Sequence, residues 1–257
     1  MTETTVLTLS YDGSDFAGFA RQPGLSTVQG EVETALRTVL RREVETVGAG
    51  RTDAGVHALA QVISFEADGS DTEPSSLLRS LNALTPPGIV VTGVRHAAAG
   101  FSARHSAVAR EYRYRIVPGP VPPLFLARYA WTVRHRLNLN DMRRAASHLI
   151  GEHDFRSFCV TESALGKRTF RRLDLIEIMP ENVLGEHSLT VRVVGNAFLH
   201  SMVRVIVGSL VEVGTGRRSP AWMLGALTAC ERQAAGPTAP PHGLTLWHVT
   251  YPEECWL

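Results

Sequence analysis

Polar and apolar positions alternate along Thr4 to Tyr11 and stop at the turn pair Asp12-Gly13, which predicts a first strand. Ser26 or Thr27 then offers a cap to a helix. Its apolar positions Val28, Val32, Ala35, Leu36, Val39 and Leu40 recur at helical spacing, up to the basic pair Arg41-Arg42. Ala58 to Phe65 reads as a strand, Pro74 to Leu84 as a helix with proline in its first turn, and Ile89 to Val94 as a strand. Crossover helices between neighbouring strands predict a two-layer unit with its helices on one face.

The second half mixes elements in the same way. Arg113 and Arg115 alternate with Tyr112, Tyr114 and Ile116 between Arg110 and Val117, a strand with two chemically distinct faces, and Pro118 to Pro123 breaks it. Asp141 to Ile150 reads as a helix, Phe170 to Ile178 and Leu189 to Val194 as strands, and Leu199 to Val213 as an almost wholly apolar helix. Ser219-Pro220 opens a last helix through Arg232, and Leu246 to Tyr251 closes the chain as a strand. The expected class is α+β, a duplicated unit joined edge to edge, with 1–105 as one subdomain and 106–257 as the other.

A chain of 257 residues with 44% hydrophobic content can bury a substantial core. No cationic leader precedes an apolar run and no apolar stretch is long enough to span a membrane, so a soluble, unexported protein is expected. Cys159, Cys230 and Cys255 stand apart without C-x-x-C spacing, which disfavours a disulfide framework or a zinc site and fits a reducing cytoplasm. Net charge is only +1, giving little long-range pull toward nucleic acid. Arginines nevertheless cluster: Arg104, Arg110, Arg113 and Arg115; Arg134, Arg136, Arg143 and Arg144; Lys167, Arg168, Arg171 and Arg172; Arg217 and Arg218. Either these are solvated faces or they converge on one groove and bind phosphate.

The chemistry concentrates between Val47 and Gln61, where Gly48, Gly50 and Gly55 allow sharp turns and close approach to a bound molecule. The spacing is neither that of a dinucleotide-binding loop nor that of a P-loop. The segment Gly50-Arg51-Thr52-Asp53-Ala54-Gly55-Val56-His57-Ala58 resembles the signature loop of the TruA family of tRNA pseudouridine synthases. Tyr11-Asp12-Gly13, Thr27-Val28-Gln29, Phe101-Ser102-Ala103-Arg104, Tyr112-Arg113-Tyr114 and the run from Gly195 to Arg204 follow the same family pattern in order. One motif departs from it, because Phe19-Ala20-Arg21-Gln22 stands where a Trp-Gln-Arg-Gln-like sequence is usual.

The resemblance implies two ferredoxin-like halves that share a central, mostly antiparallel sheet with helices on one face and a cleft between them. It implies a homodimer that needs no metal or organic cofactor and converts uridine to pseudouridine in the anticodon stem-loop of tRNA, at positions thirty-eight to forty. It makes Asp53 the catalytic nucleophile, its carboxylate attacking C1′ or C6 or, alternatively, assisting by removing a sugar proton, and an Asp carboxyl suits the role because it is ionised at neutral pH without a separate base. Tyr112 falls on the family's active-site tyrosine, expected to stack on the target base and to take part in proton transfer. Arg51 could steer phosphate or orient the carboxylate. Arg204 sits in an apolar helix where a buried guanidinium needs a carboxylate, and Asp53 is the proposed partner. His57 reads as a structural hydrogen-bonder, since it lacks partners at metal-ligand spacing. Two rivals stay open, a non-catalytic tRNA-binding or RNA-folding module on the same scaffold and an Asp-dependent hydrolase of small nucleotides.

Overall fold

The structure, a computed structural model, describes residues 4–68 and 73–257. In chain order its main elements are β1 (Thr4–Tyr11), α1 (Val28–Leu40), β2 (Val47–Gly48), β3 (His57–Glu66), α2 (Pro74–Leu84), β4 (Ile89–Ala97), β5 (Ala109–Pro118) and β6 (Trp131–Val133). They continue with α3 (Leu139–Ser147), β7 (Gly151–Asp154), α4 (Thr161–Ala164), β8 (Phe170–Val183), β9 (Glu186–Gly195), α5 (Met202–Gly214), α6 (Trp222–Ala229) and β10 (Leu244–Thr250). Among the described residues no helix is long and apolar enough to cross a membrane.

The chain divides into two compact units, one made of residues up to Arg110 together with Thr245–Leu257, the other of Glu111–Leu244. The closing strand therefore returns to the first unit, where a cut after residue 105 leaves it with the second half. Each unit mixes helices with a mostly antiparallel sheet, the α+β class expected.

In the first unit β1 lies between β3 and β4, antiparallel to both, and β2 adds to β3. β10 joins β3 in parallel through Thr245 beside His57 and Leu246 beside Ala58. The Thr27 hydroxyl accepts the Gly30 amide to start α1, and Arg41 ends it in the left-handed region at φ 55°. At α2 the cap is Glu73, whose carboxylate accepts the amides of Ser75 and Ser76 while Pro74 fills the first helical position. The two helices lie against each other. Val32, Leu36, Leu77 and Leu81 are as fully buried as Leu7, Leu9 and Ile63 of the sheet. Each contributes about 1.5–3 kcal/mol by leaving water.

In the second unit the strand order is β5-β9-β8-β7, with β6 parallel to β5. β8 and β9 form a long antiparallel hairpin whose turn uses Leu184 and Gly185 at positive φ. The two faces of β5 separate as its alternation predicts, with Tyr112, Tyr114 and Ile116 buried and Arg113 and Arg115 only half-buried. α5 is apolar around nearly its whole circumference and is a core helix accordingly. Gly208 lets the chain at Pro237 press on it, since a Cβ there would stand 1.8 Å from the Pro237 oxygen.

Several boundaries differ from expectation. α5 starts at Met202 and not at Leu199, because Ser201 takes the left-handed conformation at φ 58°. α6 spans Trp222–Ala229 in place of Ser219 to Arg232: Cys230, at φ 51°, ends it, and no side chain caps its start. α3 begins at Leu139, capped by Asn138, whose side-chain oxygen accepts the amides of Asn140 and Asp141.

Candidate active site

The loop between β2 and β3 is held at almost every residue. The Ala49 carbonyl accepts the Nε and Nη2 of Arg110 at 3.3 and 3.1 Å, and the Ala49 amide donates to Val62. Gln61 donates its Nε2 to the Gly50 carbonyl at 2.8 Å. At Thr52 the carbonyl accepts the Phe19 amide at 3.0 Å and the hydroxyl meets the Tyr11 hydroxyl at 2.8 Å. Asp53 opens a tight turn in which its carbonyl accepts the Val56 amide, and Gly55 adopts φ 76° within it. The Gly55 amide donates in turn to Gly13.

Thr52 and Val56 are buried, Asp53 between them is half-buried, and Arg51 is exposed. The loop thus carries a carboxylate on a main chain fixed from both sides. His57 is buried, and both the Gly13 amide and the Asp12 carboxylate stand at its Nδ1, 3.0 and 3.1 Å away. Its role is a post between the β1 turn and the loop, the structural one expected.

Tyr112 and Arg204 belong to the second unit, Asp53 and Arg51 to the first. The buried Tyr112 ring meets Phe198 edge-on, 5.0 Å between centroids. Phe198 lies in the loop from Asn196 to Ser201, which is tied back to β8 because Asn196 exchanges hydrogen bonds with Arg172 through its side-chain oxygen and its amide. Arg204 is half-buried, and its Nε donates to the Ala239 carbonyl at 2.8 Å while the Ala239 amide donates back to the Arg204 carbonyl. Tyr114 donates its hydroxyl to Pro240 at 2.8 Å. Burial pushes the Tyr114 phenol above its ordinary value despite the Arg204 cation nearby, which keeps it a donor.

The arginine clusters prove heterogeneous. Arg110 is buried, and besides Ala49 it serves the carbonyls of Arg104 and Ala107, so it braces the main chain and is not a surface phosphate ligand. Arg113 pairs with Glu111, Arg168 with Glu152, Arg172 with Asp174 and Arg217 with Glu212. Arg143 caps the Ile178 carbonyl. Arg104, Arg134, Arg136 and Lys167 are exposed. The bracing roles of Arg110, Tyr11 and Gln61 were not legible in the sequence, since nothing in the spacing of these residues points to a main-chain carbonyl or hydroxyl in the loop.

A half-exposed carboxylate on a braced glycine-rich loop is a group suited to attack on a sugar or base. A family model described as tRNA pseudouridine synthase matches residues 8–103 and 145–252. The chain is 45% identical over 244 residues to a Brevibacillus brevis protein named tRNA pseudouridine synthase A, covering 95% of this chain and 97% of that one. It is 44% identical over 248 residues to the Bacillus subtilis protein of the same name, at the same two coverages, and 41% identical over 256 residues to that of Geobacillus kaustophilus, at 99% and 97%. Among solved structures, a chain of a Cbf5-Nop10-Gar1 complex aligns with a TM-score of 0.36 and 16% identity over 80% of this chain and 45% of that one. The chain belongs to the tRNA pseudouridine synthase family, and the activity of that family is the isomerisation of uridine to pseudouridine in tRNA.

Proposed function

We propose that the chain acts on uridines at positions thirty-eight to forty, on the 3′ side of the tRNA anticodon stem-loop, with Asp53 as the nucleophile. Isomerisation breaks the bond from C1′ to N1, turns the uracil and joins C1′ to C5, which then gives up its hydrogen as a proton while the freed N1 takes one up. There is no redox change and no hydrolysis, and so a carboxylate suffices. The observation that carries the reading is the bracing of the loop at Ala49, Gly50, Thr52, Gly55 and His57, which leaves Asp53 half-exposed on a main chain that cannot drift.

Arg204 would be the cation partner of the Asp53 carboxylate, Tyr112 would stack on the target uracil, and Arg51, exposed two residues from Asp53, would steer a phosphate. In this reading a subdomain of residues 1–105 supplies the nucleophile, a subdomain of residues 106–257 completes a cleft, and the target nucleotide is flipped out of its stem at a cost of a few kcal/mol. Activity at several neighbouring positions requires recognition by backbone shape more than by base identity. A homodimer working in the cytoplasm completes the proposal, on the strength of the family resemblance.

Chemical mapping of pseudouridine in tRNA from cells with and without the protein tests it. The expected result is loss of the modification at those three positions alone. An unchanged map there, or losses elsewhere in the tRNA, would overturn the assignment.

A further inference from the structure

The hydroxyl pair of Tyr11 and Thr52 stands out because three separate features of the first unit converge on it. The pairing of β1 with β3 runs residue by residue from Thr4 to Leu9, then slips so that Tyr11 stands opposite Ala58. Such a bulge re-aims a side chain, and here it places Tyr11 beside the first residues of β3, next to the loop that carries Asp53. The Tyr11 ring is buried and lies over Phe19, with 6.4 Å between centroids. Phe19 in turn donates its amide to the Thr52 carbonyl. Gly18, at φ 101°, makes that approach possible, since a Cβ there would already stand 3.0 Å from the Thr52 oxygen.

Thr52 is therefore gripped at its carbonyl by Phe19 and at its hydroxyl by Tyr11, in a buried setting and directly before Asp53. The first bond fixes the peptide between Thr52 and Asp53. The second fixes the side-chain rotamer of Thr52 and stops that peptide from rocking about its Cα. The following turn, from Asp53 to Val56, holds the other side. Taken together, these holds set the direction in which the Asp53 carboxylate leaves the main chain.

We propose that Tyr11 and Thr52 are a positioning pair for Asp53, acting through one shared hydrogen bond. This rests on the reading of Asp53 as the nucleophile. Neither residue touches the reacting atoms in this scheme, and the pair acts on the rate of the chemical step and not on tRNA affinity.

The test uses Tyr11→Phe, Thr52→Val and the double variant in the full-length protein, with tRNA carrying tritium at uridine C5, so that label release reports the new bond to C1′. Each single variant should lose roughly ten- to a hundred-fold in kcat, the scale of an ångström misplacement, with KM and tRNA binding unchanged. The double variant should be no worse than the singles, because both remove the same bond. Thr52→Ser, which keeps the hydroxyl, should recover most of the rate. Full kcat in both single variants, losses that multiply in the double, or losses that follow the unfolded fraction in thermal melts would each overturn the proposal. Asp53→Asn runs alongside: if it stays active, the reading of Asp53 itself falls, whereas an inactive Asp53→Asn with fully active pair variants sinks the positioning role alone.

Discussion

Adding one methyl group at Gly13 should disable this protein, although Gly13 lies forty residues before Asp53. A Cβ there would stand 2.0 Å from the Val56 carbonyl oxygen and 2.6 Å from its carbon. Carbon contacts are comfortable from about 3.5 Å, so main chain on one side must retreat by roughly 1.5 Å. Both sides belong to the candidate site. Gly13 accepts the Gly55 amide at 3.2 Å and donates to the His57 Nδ1 at 3.0 Å, and Val56 closes the turn that begins at Asp53. Overpacking of about 1–3 kcal/mol, with two weakened hydrogen bonds at about 1 kcal/mol each, puts the cost of Gly13→Ala at roughly 3–5 kcal/mol. For a chain of this length that is a fall in melting temperature of roughly 6–20 °C. At a temperature where the variant is still folded, kcat should drop by about a hundred-fold, since the Asp53 turn is displaced by more than an ångström. Calorimetry and tritium release from uridine-labelled tRNA measure the two effects. A variant that melts within about 2 °C of wild type and turns over at full rate would refute the claim that this contact sets the loop.

Other perturbations have equally specific outcomes. Arg110→Lys should cost about 2 kcal/mol in chemical denaturation, because one ammonium cannot span the carbonyls of Ala49, Arg104 and Ala107 that the guanidinium serves together. Gly225 is exposed in α6 with open space where a Cβ would go, so Gly225→Ala should add about 1 kcal/mol of stability, seen as a higher melting temperature. Burial works against ionisation of Glu111, but hydrogen bonds from Arg192 and Arg113 outweigh it and hold its carboxyl below the ordinary value. A carboxyl lowered in the folded state adds stability above its unfolded pKa, and that contribution is lost as pH falls through the folded one. Melting temperature should accordingly decline as pH drops below about 4.3, and Glu111→Gln should be less stable at neutral pH with a flatter acid limb.

The elements legible in the sequence are those whose signals are local. β1, α1, β3 and α2 emerge from alternation, helical spacing and capping residues, all contained in a few neighbouring positions. Ends set by single residues in the left-handed conformation, Ser201 before α5 and Cys230 after α6, were not readable, because neither residue type announces that backbone state. Asn138 does announce a cap, and α3 starts with it; the acidic Asp141 three residues later drew the expected start away. Pro180 made β8 look shorter than it is, yet the strand runs through it to Val183, with Pro180 opposite Leu189. β2, β6 and β7 are two, three and four residues long, too short for any periodicity. The parallel seat of β10 on β3 pairs residues far apart in the sequence, Thr245 with His57, and has no local trace. At the candidate site the glycine-rich loop and its acid were legible through their resemblance to a family, but the bracing was not. Arg110 is the plainest case: in sequence it is one arginine of a basic cluster, and in the fold it is buried against the loop's main chain.

Asp53→Asn tests the proposed catalytic role of Asp53 with the least disturbance, since the amide keeps the size of the side chain and removes the charge. With purified tRNA, this variant should bind as tightly as wild type and release no tritium from C5 of the target uridines. Release at a rate comparable to wild type would contradict it.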